Sequence, residues 1–412
     1  MSKAGSVRSK QGTPSLVWVL MGIGIGVVGG LWLYHAGGEQ HSAFSVISLG
    51  ADMFVRLLRM VIVPLIAASL ITAVAGLDTR HLGRLGGWTF LYYLSTTLFA
   101  AALGLVIVNL VDPGIGAVLK PSTLPEQLKA SQPPTFADLL RNLIPTNPID
   151  ALVRADMLQI ISFSLIAGIA LNFLGERGLT VRRFFEEVLE LSMIIVRWVL
   201  MLLPLGVALL LMRTLGQAGL EVVKPLAKYM GAVLSGLTIH GLIVLPTLLW
   251  LLGGCTPWRF FGGMAQAFLT ALSTSSSAAT LPVTLRSLEN ELQVPPHISR
   301  FMVPIGATVN MDGTALYEAV AALFIAQVYG IDLTLMQQMV VLFTATLAAI
   351  GAAGIPSAGL FTMVIVLQSV GLPIEGIGLI LTVDRLLDMF RTMVNVEGDA
   401  VGAVIMKQMM RG

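Results

Sequence analysis

DRLLDMFRTMVNVEGD, residues Asp384 to Asp399, is the stretch from which the rest of this chain can be read. Within it Asp384, Asp388, Arg391, Thr392, Asn395 and Asp399 follow one another at steps of four, three, one, three and four. That is the helical period, so all six share one face. The surrounding chain is overwhelmingly apolar: 412 residues, 56% hydrophobic and only 12% charged, with a mean hydropathy of +0.85. An ordinary soluble domain is about one quarter charged, so a soluble globule is excluded. Ionisable groups at membrane depth are costly, face a bundle interior or a water-filled cavity, and mark ion or substrate pathways.

Long apolar runs, Leu16 to Leu33, Val61 to Ala75, Phe90 to Val111 and Val233 to Leu252, match the roughly 20 residues that cross about 30 Å of hydrocarbon. Basic clusters at Lys3 to Lys10, Arg80 to Arg84, Arg177 to Arg183, Arg259, Arg286 to Arg300 and Lys407 to Arg411 belong in the cytoplasm by the positive-inside rule. Both termini then lie inside. Crossings fall near 15–37, 44–77, 87–111, 147–174, 184–213 and 225–253, and the Pro-rich loop Asp112 to Asn147 lies outside. The first helix reads as retained, because no convincing cleavage signal follows it.

A net charge of +2, without a basic stripe, excludes a nucleic-acid partner. The single Cys255 allows no intramolecular disulfide and no multi-cysteine metal site.

Beyond Arg259 the pattern changes. Two apolar segments are interrupted by small residues and a proline, Ser273 to Pro282 (STSSSAATLP) and Ile350 to Gly359 (IGAAGIPSAG). Irregular backbone at membrane depth survives only where it is buried or lines a cavity, so each reads as a re-entrant hairpin. Each precedes a long helix with polar residues in mid-membrane, Pro304 to Gln327 and Thr382 to Val404. A hairpin followed by a broken helix, repeated once, is the inverted-repeat signature of a secondary transporter. The alternative for either segment is a Gly-rich kinked helix packed through small residues. The fold class expected is therefore an all-α polytopic membrane protein with eight transmembrane helices plus two re-entrant hairpins.

On the polar face, Arg391 offers a fork-shaped cation that matches a carboxylate. Asp388, one turn away, can meet an ammonium, while Thr392 and Asn395 can hydrogen-bond a second carboxylate. Together they complement aspartate or glutamate. The plainer alternative pairs Asp388 with Arg391 as a buried salt bridge and leaves Thr392, Asn395 and Asp399 unexplained. In the preceding helix, Asn310-Met311-Asp312-Gly313-Thr314 gathers poor helix formers, so a break is expected there. Its freed carbonyls, with Asp312 and Asp399 as anionic ligands, suit a small alkali cation; Asp312 as a helix cap is the alternative. Glu318 is a proton-carrier candidate, with a hydrogen-bonded structural acid as the other reading. Ser276 and Ser277 have no histidine base in a matched motif, since His240 lies in the sixth helix and His297 at a helix start. The chain is therefore not read as an enzyme.

Four strings in order, TSSSAATLP, GATVNMDGTALYEA, IGAAGIPSAG and DRLLDMFRTMVNVEGDA, resemble the dicarboxylate/amino acid:cation symporter family, the glutamate transporter homologues. The resemblance runs through nearly the whole chain. It implies a homotrimer in which a scaffold, mainly helices 1, 2, 4 and 5 (1–77 and 147–213), holds a transport domain that moves like an elevator. That domain comprises helices 3 and 6 (87–111 and 225–253) and a core at 256–412. It implies that Arg391 grips the substrate side-chain carboxylate, Asp388 its amino group, and Thr392 and Asn395 its main-chain carboxylate, with Ser276, Ser277, Thr314 and Gly359 completing the pocket. It also implies one sodium at Gly306, Asn310, Asn395 and Asp399 and another at Tyr93, Thr96, Thr97, Asn310 and Asp312. A third lies among the carbonyls of Thr308, Ala349, Ile350 and Ala352. Sodium is the coupling ion, and no cofactor is expected.

Three positions discriminate within the family. Arg391 is similar to the acidic amino acid carriers, Asp399 to the sodium-coupled members, and Glu318 to the animal members that also move a proton. Two positions depart: an additional arginine common in the family is replaced by Ser275 and Met389. The chain has no Asn-x-Ser/Thr acceptor and is shorter than the animal members, which points to a bacterial inner membrane. The function expected is sodium-coupled symport of glutamate or aspartate. The alternatives are a neutral amino acid or C4-dicarboxylate carrier of the same family, or a channel.

Overall fold

The computed structural model describes residues 16–76, 85–116, 144–350 and 358–410. Among these no strand occurs. The chain opens with α1 (Leu16–His35), α2 (Ser42–Ala75) and α3 (Gly87–Val111). It continues through α4 (Pro148–Arg154), α5 (Met157–Leu174), α6 (Leu179–Met201), α7 (Leu203–Ala218), α8 (Val223–Ile239) and α9 (Leu245–Gly253). Then come α10 (Pro257–Thr274), α11 (Ser277–Arg286), α12 (Pro296–Val309), α13 (Asp312–Val328), α14 (Leu335–Ile350), α15 (Ala358–Ser369) and α16 (Ile377–Met409). Among the described residues five helical stretches are long and apolar enough to cross a membrane: Val17–His35, Ser42–Ala75, Gly87–Val111, Gln159–Met201 and Gly219–Gly253. Their outward faces carry exposed Trp18, Phe99, Leu110, Trp198 and Trp250, the surface a hydrocarbon solvent favours.

The structure redraws several expected elements. The crossing expected near 147–174 is divided, because Ala155 adopts a left-handed conformation at φ 53° and Asp156 caps the new helix through the Gln159 amide at 3.3 Å. The crossing expected near 184–213 begins earlier, at Leu179, and becomes two helices meeting at Leu202. Pro204 has no amide to donate back to Leu200, so the ladder cannot run through. The first polar helix breaks at Asn310–Met311 as expected, but starts at Pro296.

The terminal helix is not broken. It runs for 33 residues, so the repeat of hairpin plus broken helix is incomplete. Asn310, Asp312 and Gly313 crowd into four positions, whereas Asn395 and Asp399 are spaced among helix-compatible residues. Gly398 is there for contact, since a Cβ on it would come within 2.8 Å of Asn310 Nδ2.

The interruption within STSSSAATLP is a two-residue break. Ser275 ends α10 in a left-handed conformation at φ 50°, and Ser276 caps α11 by accepting from the Ala279 amide at 3.1 Å. The two helices pack on each other. α14 and α15 pack likewise, but the residues that join them, 351–357, lie outside the described residues, and with them Ala352. The loop 117–143 and the basic cluster Arg80 to Arg84 are outside as well.

Two sets of neighbours emerge. α1 lies on α7, and α2 on α5, α6 and α7. α13 lies on α3, while α16 is surrounded by α8, α9, α10, α12 and α13. Every residue of α13 except Gln327 is buried, which places the broken helix at the centre of the second set.

In the first set the contact is made by Gly22, Gly26 and Gly30, one turn apart on α1. A Cβ at Gly26 would come within 2.7 Å of Leu211 Cβ and one at Gly30 within 2.7 Å of Leu215 Cβ. Close backbone approach through small residues is how helices pack where lipid removes the hydrophobic drive. Gly26→Leu is expected to force α1 off α7 and cost about 1–3 kcal/mol. Thermal melting of the protein in detergent checks this, and an unchanged midpoint would refute the close contact.

Candidate functional site

The polar face of α16 is buried throughout: Asp384, Asp388, Arg391, Thr392, Asn395 and Asp399 are each at most 5% exposed. Arg391 sits at its centre. Its Nη2 donates to Asp388 Oδ1 at 2.5 Å, its Nη1 lies 3.4 Å from Asp384 Oδ1, and the guanidinium carbon stands 4.1 Å above the Tyr317 ring. Gly359 closes over it from α15, where a Cβ would come within 2.6 Å of Nη1. The alternative pairing of Asp388 with Arg391 is thus present, but it does not use up the guanidinium. Among the described residues Nε and Nη1 have no hydrogen-bond partner. A buried donor left unmade costs about 1–3 kcal/mol, more when charged, so this arrangement is suited to receive a carboxylate.

One turn on, Asn395 ties α16 to the broken helix. Its Oδ1 accepts from the Gly313 amide at 2.8 Å and its Nδ2 donates to Thr314 Oγ1 at 3.2 Å. The break therefore leaves amides free, and a side chain from α16 takes one. Ser276 and Ser277 lie at the α10–α11 break, on elements packed against α16.

A second cluster surrounds the residues on the other side of the break. Asn310 Nδ2 donates to Asp399 Oδ1 at 3.0 Å, while Asn310 Oδ1 accepts from Thr96 at 3.2 Å and, more weakly, from Thr97 at 3.5 Å. Thr97 Oγ1 also donates to Asp312 Oδ1 at 2.8 Å. Tyr93 donates to the Met302 carbonyl at 2.9 Å, with its hydroxyl next to Gly306, where a Cβ would meet it at 2.7 Å and would collide with Asp399 Oδ1. Tyr93, Thr96, Thr97, Gly306, Asn310, Asp312 and Asp399 therefore form one continuous set. Among the described residues neither Asp312 nor Asp399 is paired with a lysine or arginine. Two carboxyls with hydroxyl and amide oxygens, and no lysine or arginine partner among the described residues, form a hard-oxygen environment suited to a small cation.

Thr308 donates to the Ile305 carbonyl at 3.0 Å, and Ala349 and Ile350 are buried at the end of α14. With Ala352 undescribed, that third expected set is only partly visible. Glu318 is fully buried. Its Oε1 accepts a short hydrogen bond from Thr362, and its Oε2 has no partner among the described residues.

Four residues escaped the sequence reading. His240 Nε2 lies 2.9 Å from Asp312 Oδ2, both side chains fully buried; it is presented by a π-turn, His240–Val244, just before Pro246. A lone histidine in an apolar run ahead of a proline was the available signal. Glu397 is 2% exposed and fits against Gly241, where a Cβ would come within 2.9 Å of its Oε2; an acid off the polar face was its signal. Arg385 places Nη1 3.7 Å from Asp388 Oδ2, a second cation where the period suggested one. Tyr317, beneath Arg391, looked like an ordinary core residue.

The profile of the Sodium:dicarboxylate symporter family matches residues 16–409. Excitatory amino acid transporter 3 of Mus musculus is 41% identical, over 87% of this chain and 78% of the relative. The putative sodium-dependent excitatory amino acid transporter glt-4 of Caenorhabditis elegans is 36% identical, over 96% of this chain and 89% of its own length. Neutral amino acid transporter B(0) of Homo sapiens is 38% identical, over 95% and 79%.

Asn310→Ala strands an oxygen of Asp399 and takes one acceptor from the Thr96 hydroxyl, which keeps the Tyr92 carbonyl at 3.1 Å. A loss of about 1–3 kcal/mol is expected for each buried polar group left unpaired. The melting temperature in detergent should fall by several degrees; no change would mean that the network does not hold the break.

Proposed function

The chain belongs to the sodium:dicarboxylate symporter family, and from that premise we propose that it is a sodium-coupled secondary transporter of acidic amino acids. The observation that carries the acidic choice is Arg391: fully buried, over Tyr317, beside Asp388, and with two guanidinium nitrogens that make no hydrogen bond among the described residues. A substrate carboxylate would satisfy them by a bidentate contact, and the substrate ammonium would take over Asp388. Thr392 and Asn395 would serve the main-chain carboxylate, with Ser276, Ser277, Thr314 and Gly359 completing the pocket.

Sodium ions enter this cycle as cargo. The set Tyr93, Thr96, Thr97, Gly306, Asn310, Asp312, Asn395 and Asp399 would hold two, and Thr308, Ala349, Ile350 and Ala352 a third through backbone oxygens. Glu318 would carry a proton alongside, because its second oxygen is free of partners among the described residues. The movement proposed is an elevator, in eight transmembrane helices plus two re-entrant hairpins. The packing of α1, α2, α5, α6 and α7 supports a scaffold, and the assembly around α3, α13 and α16 supports a transport domain. The working assembly is a homotrimer in a bacterial inner membrane, with both termini cytoplasmic.

The relative named for neutral amino acids favours one competing reading. Uptake into liposomes decides between them: labelled aspartate or glutamate should accumulate under an inward sodium gradient, and serine or succinate should fail to displace it. Absence of sodium-driven accumulation would sink the proposal. Arg391→Cys is expected to raise the KM for aspartate by roughly 10- to 100-fold, the worth of one or two charge-assisted hydrogen bonds. Asp399→Asn should abolish the dependence of uptake on sodium, and retention of that dependence would remove Asp399 from the cation set.

A further inference from the structure

On the outer side of the second helix set, between α3 and the π-turn with α9, runs a groove of about 800 Å³ that ends against the last turns of α16. Its walls include Trp88, Leu91, Phe99, Ile243, Leu248 and Met409, and Leu91, Phe99 and Ile243 are each about half exposed. Both flanking stretches are among those long and apolar enough to cross a membrane, so the groove faces hydrocarbon rather than water. From Trp88 to Phe99 it follows roughly 16 Å of helix, about one leaflet of a hydrocarbon core some 30 Å thick.

The two ends differ in chemistry. At the Trp88 and Met409 end, α9 stops and Cys255 follows. Lys407 falls between the lining residues Met406 and Met409 on α16, and Arg259 lies in the first turn of α10, four residues beyond Cys255. Arg259 is exposed, and Lys407 reaches the Leu292 carbonyl at 2.8 Å. Trp250 and Trp258 are exposed nearby along the chain, the amphipathic rings expected at headgroup level. At the inner end the floor is polar and already committed: Tyr92 donates to the Gly398 carbonyl at 3.1 Å, and Thr96 donates to Asn310 Oδ1 at 3.2 Å.

We propose that this groove binds one acyl chain of an anionic membrane phospholipid, with the phosphate headgroup at the Arg259 and Lys407 mouth and the tail against Tyr92, Thr96 and Phe99. The length of one leaflet fits a chain, the apolar walls fit its methylenes, and the two cations favour a headgroup of net negative charge over a zwitterionic one, whose ammonium they repel. Because the tail rests on Tyr92 and Thr96, the bound lipid buttresses the side chains that hold Gly398 and Asn310. Lipid composition thereby acts on the cation cluster from outside. The inference rests on the membrane placement of α3 and α9, not on which substrate is carried.

The test uses the full-length protein purified in mild detergent and offered phosphatidylglycerol or phosphatidylcholine, with retention read by native mass spectrometry. The protein should retain phosphatidylglycerol several-fold better than phosphatidylcholine. The pair Ser95→Phe with Thr247→Phe, which fills the groove from both walls, should lose that retention several-fold, and Arg259→Gln should lose the preference between headgroups. Should the filled variant fail to fold, phosphatidylglycerol brominated along its acyl chains gives an independent reading in the unaltered protein. Bromine should quench part of the tryptophan fluorescence, and Trp88→Phe should reduce the quenched fraction, leaving the share of the other exposed tryptophans. Equal retention of both lipids, retention unchanged by filling, or quenching indifferent to Trp88→Phe would each overturn the proposal. So would a Ser95→Cys variant that crosslinks to a second copy of the chain in the membrane, because protein would then occupy the groove. None of these readings depends on transport.

Discussion

Charged and polar groups held away from water must find partners within the protein, and this requirement organises the whole second helix set. Asp399 is held by Asn310, Asp312 by Thr97 and His240, and Asp388 by Arg391. The partners come from α3, the π-turn, the broken helix and α16, so satisfying the carboxylates docks those elements on one another. A lost partner would leave a buried charge uncompensated, which is far costlier than a missing apolar contact. The break at Asn310–Met311 follows from the same demand. A continuous helix would keep the Gly313 amide for itself, whereas the break gives it to Asn395.

In the proposed reading α16 carries two kinds of site on one uninterrupted face. Arg391 and Asp388 sit toward one end and Asp399 toward the other, with Asn395 between them bonded to the backbone and hydroxyl of the broken helix. In the proposed cycle a cation that organises Asn310 and Asp399 would also set the position of the segment bearing Gly313 and Thr314. Substrate and cation would then be linked through a single rigid helix and one side chain. His240 belongs to this arrangement as well, since it fixes the second oxygen of Asp312 from a π-turn. Such turns recur where a helix must aim one side chain out of register.

Much of the fold was legible because the bilayer is a demanding solvent. Apolar length marked α1, α2 and α3, the small residues around Ser275 marked a helix interruption, and the cluster Asn310, Asp312 and Gly313 marked a break. What misled was local. Hydropathy alone ran one crossing through Leu202, where Pro204 divides it, and the symmetry of two polar helices suggested a second break that α16 does not have. In both cases the deciding factor was whether individual amides could find an acceptor, which composition does not report.

The chemistry of the polar face was determined by the sequence itself. The spacing of Asp388, Arg391, Asn395 and Asp399 places them on one side of any helix they form, and 3.6 residues per turn is a property of the backbone alone. Which of those groups are satisfied and which are left to receive a ligand was decided only by tertiary structure. Tyr317 and Gly359 around Arg391, His240 on Asp312 and Glu397 against Gly241 come from segments far apart in the chain. Their proximity depends on how α3, α8, α13 and α15 pack around α16. A period can put a side chain on a face, but only the packed neighbours determine what that face meets.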